Sequence, residues 1–299
     1  MQYGVVGLGE LGGKFAANLQ KFQKNIWVYD RNEAAMAPLV DSGAKAASSV
    51  AELGENCDAV ITCLPSPSIS QAVITELFGT LKAGSTWIET STISRDDVLN
   101  FNQQAEAAQI RMLEMPVTGG VHLAARGEIT LLLGGDQALF DQHHDALKFL
   151  GDRIFHMGPI GSASIIKVIT NMLAFIHLQA CSEALMLAKR AGLDLDQSYK
   201  AIEASSGNSF VHETEGKLIL SGSYDVGFNM DLALKDLGFA RQFGREYESP
   251  LELAAIVEQT YVKARAAYGG DAQSPMIAKL MEDLLQTDLR AEGYPTRLV

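Results

Sequence analysis

Tyr3-Gly4-Val5-Val6-Gly7-Leu8-Gly9-Glu10-Leu11-Gly12 decides the fold of this chain. Four strand-forming residues run straight into three glycines spaced G-x-G-x-x-G. A helical pattern follows through about Phe22, and then a second apolar strand, Ile26 to Tyr29, ends at Asp30. Strand, glycine turn, helix, strand and acid stand in the order that a dinucleotide-binding unit requires. Gly7 allows the tight turn, Gly9 lets the backbone approach a pyrophosphate, and Gly12 permits close packing of helix on strand. The helix start offers free N–H groups and a positive dipole end to the phosphates. Leu8, Glu10 and Leu11 fill the turn, with Glu10 expected to face solvent. Asp30 is the expected acceptor for the adenosine ribose hydroxyls, and its charge would repel the 2′-phosphate of NADP. Arg31 argues the other way, because it could hold that phosphate. NAD is the favoured cofactor, and NADP stays open.

Beyond this unit the alternation continues to about residue 156. Strands are expected at 58–64, 86–88, 110–115, 129–133 and 153–156. Helices are expected after a capping box at Ser49 to Glu52, after Ser94, and over 136–150. Such alternation means a doubly wound, mostly parallel α/β sheet. Ligands in these sheets lie beyond the carboxyl ends of the strands. Leu64-Pro65, Thr90 to Thr92 and Thr118-Gly119-Gly120 all follow strands, so they are candidates for one crevice.

After Gly161 the pattern is helical only. A long apolar helix is expected over Ser162 to Arg190, stopping at Gly192, with Lys167 as a cation within its apolar first turns. Asn171 lies four residues on and shares its face. A buried lysine is costly because its charge must be desolvated, and the plain alternative is a lysine that snorkels at the helix start. Asp194 or Asp196, Asn208 or Ser209, and Asp231 are the expected caps of later helices. Ser249-Pro250 and Ser274-Pro275 read as cap-then-proline starts. The expected division is a dinucleotide-binding domain over 1–161 and an all-helical domain over 162–299.

The 299 residues carry a net charge of −12 and contain no basic stripe, which argues against a nucleic-acid partner. No signal peptide is evident. No apolar run reaches membrane-spanning length without polar interruption, so no membrane partner is expected. Three scattered cysteines fit a reducing cytoplasm better than a disulfide framework. His143 and His144 are adjacent, cannot share a helix face, and read as surface residues; no metal site is expected.

These motifs together resemble the β-hydroxyacid dehydrogenases, the group of 3-hydroxyisobutyrate dehydrogenase and tartronate semialdehyde reductase. The resemblance rests on Gly7 to Gly12, then Pro116-Val117-Thr118-Gly119-Gly120, then Gly161 through Lys167 to Asn171, then Lys235-Asp236-Leu237, in that order over essentially the whole chain. It implies a Rossmann-type domain, a helical domain, and hydride transfer between NAD(P) and a short β-hydroxyacid or its semialdehyde. It implies that Lys167 is catalytic. Thr118, Gly119, Gly120, Asn171 and Phe228 are then substrate-binding, and Leu64, Pro65, Thr92 and Lys235 are cofactor-binding. A homodimer or homotetramer is expected. The family's usual serine is Thr118 here, and its usual acid-alanine-proline lead-in is Glu114-Met115-Pro116. His122 and Arg126 follow the glycines with their part left open. The rival readings are an imine reductase, which lacks a lysine at this position, and a non-catalytic dinucleotide-binding protein.

Overall fold

The structure is a computed structural model describing residues 1–298. It divides into two compact units, Met1–Lys167 and a second that begins at Val168. The first turns of the long helix, through Lys167, therefore group with the first unit, whereas the sequence reading places the boundary at 161/162.

In chain order the first unit contains β1 (Tyr3–Val6), α1 (Gly12–Phe22), β2 (Trp27–Tyr29), α2 (Glu33–Asp41), β3 (Lys45–Ala46), α3 (Val50–Asn56), β4 (Ala59–Thr62), α4 (Pro67–Leu77), β5 (Thr86–Glu89), α5 (Arg95–Ala107), β6 (Arg111–Glu114), β7 (Val117–Thr118), α6 (Val121–Arg126), β8 (Thr130–Gly135), α7 (Gln137–Leu147) and β9 (Arg153–Gly158). The strands form one sheet in the order β3-β2-β1-β4-β5-β6-β8-β7, with β9 also paired to β8. The strands from β3 to β6 are all parallel. β8 runs antiparallel to β6 and β7, and β9 is parallel to β8.

The two-residue period of the strands explains why helices cover both faces. Val5, Val28, Ile61, Ile88 and Leu113 pack on one face with Phe15 and Leu19 of α1 and Leu139 and Leu147 of α7. Their neighbours Val6, Val60, Trp87 and Met112 point the other way, to Leu53 of α3, Ile74 and Leu77 of α4 and Phe101 of α5. Such continuously apolar strands are buried on both sides.

The second unit is built from the part of α8 (Ser162–Arg190) that follows Lys167, α9 (Leu195–Glu203), α10 (Phe210–Ser221), α11 (Met230–Glu246), α12 (Glu252–Tyr268), a 3-10 turn at Ser274–Met276, and α13 (Ile277–Leu285). Its core joins Phe175, Leu178 and Leu185 of α8 to Tyr199, Ile219, Leu237, Tyr261 and Ile277. By length and composition alone, α8 is apolar enough to cross a membrane. Here Phe175, Leu178 and Leu185 are buried in protein instead.

Several expected caps hold. The side chains of Asp194, Ser209 and Ser94 accept from the backbone N–H groups of Gln197, His212 and Asp97. At α3, Ser49 accepts from Glu52 N–H, but the Glu52 carboxylate reaches back to Ser48 N–H rather than closing on Ser49. Other expectations need correction. Asn229, not Asp231, caps α11, accepting from Leu232 N–H at 3.0 Å, and Asp231 is drawn instead into an ion pair with Arg265 of α12. Ser249-Pro250 does not open α12, which starts at Glu252 without a side-chain cap. Ser274-Pro275 opens the 3-10 turn that precedes α13.

His143 is also corrected, from surface to core. Adjacent residues on a helix point about 100° apart, so α7 turns His143 inward while His144 stays exposed. The His143 ring lies 2.9 Å from Tyr3 Oη and 3.0 Å from Thr86 Oγ1. Burial, aided by Arg111, pushes its pKa down to about 4. An unfolded histidine titrates near 6.5. Above that pH neither state binds the proton, and the stabilisation is complete. As the pH falls from about 6.5 toward about 4, the unfolded chain takes up a proton that the folded chain refuses. Stability should therefore drop by about 1.4 kcal/mol per pH unit from this residue alone. Urea unfolding at pH 7, 6 and 5 should show a shallower acid-side loss for His143→Gln than for the unsubstituted protein. Parallel losses in the two proteins would contradict this assignment.

Candidate active site

The phosphate turn in the first unit assigns each glycine a separate task. Gly7 has φ +89°, and a Cβ there would lie 2.3 Å from the Cys63 carbonyl oxygen. Gly12 passes so close to the Gly7 carbonyl that a Cβ would meet its oxygen at 2.0 Å. A Cβ on Gly9 would meet nothing within 4 Å. Gly7 and Gly12 are thus needed by the fold, whereas Gly9 keeps an open surface free for something to approach. That division is what a dinucleotide cradle requires. Glu10 is exposed, as expected.

Asp30 follows β2, and its carboxylate accepts from Leu8 N–H at 2.6 Å and from Asn32 N–H at 2.8 Å. It therefore links the glycine turn to the next loop, and Arg31 beside it is exposed. Leu64 follows β4 and donates its N–H to Ser91 Oγ at 2.8 Å, while its side chain sits against the Gly7 position. Below them lies Glu89, the buried last residue of β5. Its carboxyl accepts from Thr62 Oγ1 at 2.9 Å and Ser91 N–H at 2.7 Å. Burial raises its pKa, and these donors oppose the rise. Leu64-Pro65 and the loop carrying Thr92 are thereby tied together at the carboxyl ends of β4 and β5.

Thr118 ends β7 opposite Thr130 of β8. Gly119 and Gly120 have φ +124° and +92°, a region that favours glycine, so the turn's shape demands both. Gly120 caps α6. His122 lies close beside it, with its pKa lowered chiefly by burial and secondarily by Arg126. Arg126 pairs with Glu128 at 2.8 Å on the surface.

Lys167 on α8 is only 8% exposed, so it does not snorkel into open solvent. In the second unit, Asn171 Nδ2 donates to Asp236 Oδ2 at 2.6 Å. Lys235 Nζ lies 3.2 Å from the other oxygen of Asp236, which is 1% exposed. The acid of this pair is buried, with Asn171 on its other side. Asp236 is thus a site candidate that the sequence reading passed over, and its signal was its place inside the Lys-Asp-Leu motif. Phe228 packs against Phe175, with ring centroids 6.0 Å apart.

In the first unit the structure brings together the glycine turn, Asp30, Leu64-Pro65 and the Thr92 loop. In the second it brings together Asn171, Lys235 and Asp236. Two substitutions separate fold from binding at the glycine turn. Gly9→Ala should leave the melting temperature unchanged but weaken NADH binding about tenfold or more, because only the approaching ligand meets the new methyl. Gly12→Ala should lower the melting temperature outright, because its methyl collides with backbone. Thermal melts and NADH fluorescence titrations would check both, and equal melting temperatures for the two variants would contradict the division.

Known families and proteins match this chain over most of its length. Residues 2–158 match the family described as the NAD binding domain of 6-phosphogluconate dehydrogenase. Residues 161–281 match the family described as NAD-binding of NADP-dependent 3-hydroxyisobutyrate dehydrogenase. The chain is 31% identical over 288 residues to 2-(hydroxymethyl)glutarate dehydrogenase of Eubacterium barkeri, covering 95% of this chain and 96% of that one. It is 31% identical over 279 residues to L-threonate dehydrogenase of Cupriavidus necator, covering 92% and 94%. A solved 3-hydroxyisobutyrate dehydrogenase from Salmonella typhimurium superposes with a TM-score of 0.87 at 29% identity, covering 94% of this chain and 99% of that one.

Proposed function

The chain belongs to the β-hydroxyacid dehydrogenase family, and from that premise we propose that it moves a hydride between NAD(H) and a short β-hydroxyacid or its semialdehyde, with Lys167 handling the proton. It is an NAD(P)-dependent dehydrogenase of hydroxyacids. The observation that carries the finer reading is the nearly buried Lys167 on α8, in a chain whose glycine turn and Asp30 are formed for a dinucleotide.

NAD supplies the hydride acceptor when bound. The protein's part is to hold the alcohol carbon in place and to move one proton. In oxidation, Lys167 in its neutral form takes the hydroxyl proton; in reduction, its ammonium returns it. The backbone N–H groups of Thr118, Gly119 and Gly120 and the Thr118 hydroxyl hold the substrate carboxylate. Asn171 is assigned to the substrate beside Lys167, with Asp236 fixing its amide. Phe228 is assigned to the substrate, and Lys235 and Thr92 are assigned to the cofactor. On this reading residues 1–161 bind the dinucleotide and 162–299 form the substrate and oligomerisation domain. Exposed Leu253 and Ile256, one turn apart on α12, support a homodimer or homotetramer. The free Cys57, Cys63 and Cys181 support a cytoplasmic location.

A panel of 3-hydroxyisobutyrate, L-threonate, 2-(hydroxymethyl)glutarate, glycerate, serine and 4-hydroxybutyrate, with the matching semialdehydes, should reveal the substrate by nicotinamide absorbance. At least one should turn over, with a higher kcat/KM for NAD(H) than for NADP(H), because the Asp30 charge repels a 2′-phosphate. Equal or better turnover with NADPH would overturn the cofactor assignment, and silence across the panel would overturn the substrate class.

Lys167→Ala should cut kcat by at least ~10²-fold. NADH affinity should survive, since the phosphate turn and Asp30 are untouched. Lys167→Arg should not restore turnover, because a guanidinium stays protonated in this range and is bulkier. Near-normal kcat in Lys167→Ala would remove the lysine from the chemistry.

A further inference from the structure

Glu114 is the last residue of β6 and is fully buried. It stands two residues before the Pro116 to Gly120 segment, yet its side chain turns to another element. Its Oε1 accepts from Gly161 N–H at 2.5 Å and Ala163 N–H at 2.9 Å. Its Oε2 accepts from Ser164 N–H at 3.1 Å and Ser164 Oγ at 2.5 Å. These N–H groups belong to the start of α8, where a helix leaves donors without internal partners. A carboxylate there also complements the positive end of the helix dipole. Burial raises the Glu114 pKa, while the donors from Ser164, Ala163 and Gly161 pull it down.

The facing strand makes room for this carboxyl. Gly134 of β8 pairs with Glu114 across the sheet. A Cβ on Gly134 would lie 2.3 Å from Glu114 Oε1. Gly134 is not among the glycines in the left-handed region, so its backbone does not itself call for glycine. Space for the carboxyl is the reason the structure gives for glycine there.

We propose that Glu114 is the positioning residue for Lys167, clamping the first turn of α8 to the strand that leads into Thr118-Gly119-Gly120. Lys167 lies three residues after Ser164 and four after Ala163, on the same side of the helix one turn along. A helix moves as a rigid element over one turn, so a shift at its clamped start is carried to Lys167. A proton-handling group must stay within hydrogen-bond reach of its target. A misplacement of about 1 Å can cost a reaction on the order of 10²-fold. The same residue also ends β6, which is followed after two residues by β7 and the carboxylate-binding turn. One buried acid thus sets the base and the substrate turn against a common frame. This inference rests on the assignment of Lys167 as the proton-handling group.

The test uses the whole enzyme with the fastest hydroxyacid of the panel. Glu114→Gln places an amide N–H₂ against backbone donors and breaks one side of the clamp. Gly134→Ala keeps the carboxyl but forces it out of its place. Both should lower kcat per folded molecule by about tenfold or more, leave the NADH dissociation constant within about twofold, and raise the primary deuterium isotope effect on kcat as the hydride step becomes limiting. Unchanged kcat per folded molecule in either folded variant would overturn the proposal. So would a loss of kcat matched by an equal loss of NADH affinity, which marks general damage to the unit. Should only one variant fold, that one decides; should neither fold, the clamp serves folding and the proposal falls. Lys167→Ala, run beside them, separates the two readings. Full turnover in that variant removes the proton-handling assignment itself. Its loss together with normal Glu114→Gln removes only the clamp.

Discussion

The approach of Gly12 to the Gly7 carbonyl is the constraint on which the first unit turns. No side chain fits between them. The helix α1 can therefore start directly against the end of β1, with its N-terminus at the turn. Once that contact is made, Leu8 N–H is delivered to Asp30 and the Leu64 side chain to Gly7. A single close backbone contact thus orders three loop segments around the surface that Gly9 leaves open.

Buried acids provide the other organising principle. Glu89, Glu114 and Asp236 are each almost wholly buried. Glu89 joins the loops after β4 and β5 through Thr62 and Ser91. Glu114 joins the end of β6 to the start of α8. Asp236 joins Lys235 and Asn171 within the helical unit. Such groups are costly to bury unless their oxygens are satisfied. Each therefore fixes its donors strongly, and each sits beside residues assigned to cofactor or substrate. The Trp87 indole, which donates to Thr62 Oγ1 at 2.8 Å, extends the Glu89 network into the apolar core and gives it a rigid floor.

Much of the fold and part of the site were legible in the residues alone. The glycine turn, the strands β1, β4, β5 and β6, and the long helix α8 all carry local signals: short apolar runs, a glycine spacing, a long apolar stretch. The short strands β3 and β7 span two residues each, too few for any period to register. Lys167 stood out because an ammonium in an apolar helix is costly, and the helix kept it buried. Glu114 was noticed only as a departure from an expected lead-in, because its four donors lie 47 to 50 residues away.

The sequence by itself determined the doubly wound sheet, the helical second half, the phosphate turn and the cap at Ser94. Each of these depends on backbone geometry within a few residues, and residue type encodes it directly. Tertiary structure alone decided that His143 lies inside and His144 outside, that Asn229 rather than Asp231 caps α11, and that Gly134 yields its space to Glu114. In each case the local sequence left more than one arrangement open. The choice came from a partner distant in the chain: Tyr3 and Thr86 for His143, Arg265 for Asp231, the start of α8 for Glu114. A helix exposes every side chain in turn, and only packing against another element determines which of them is buried.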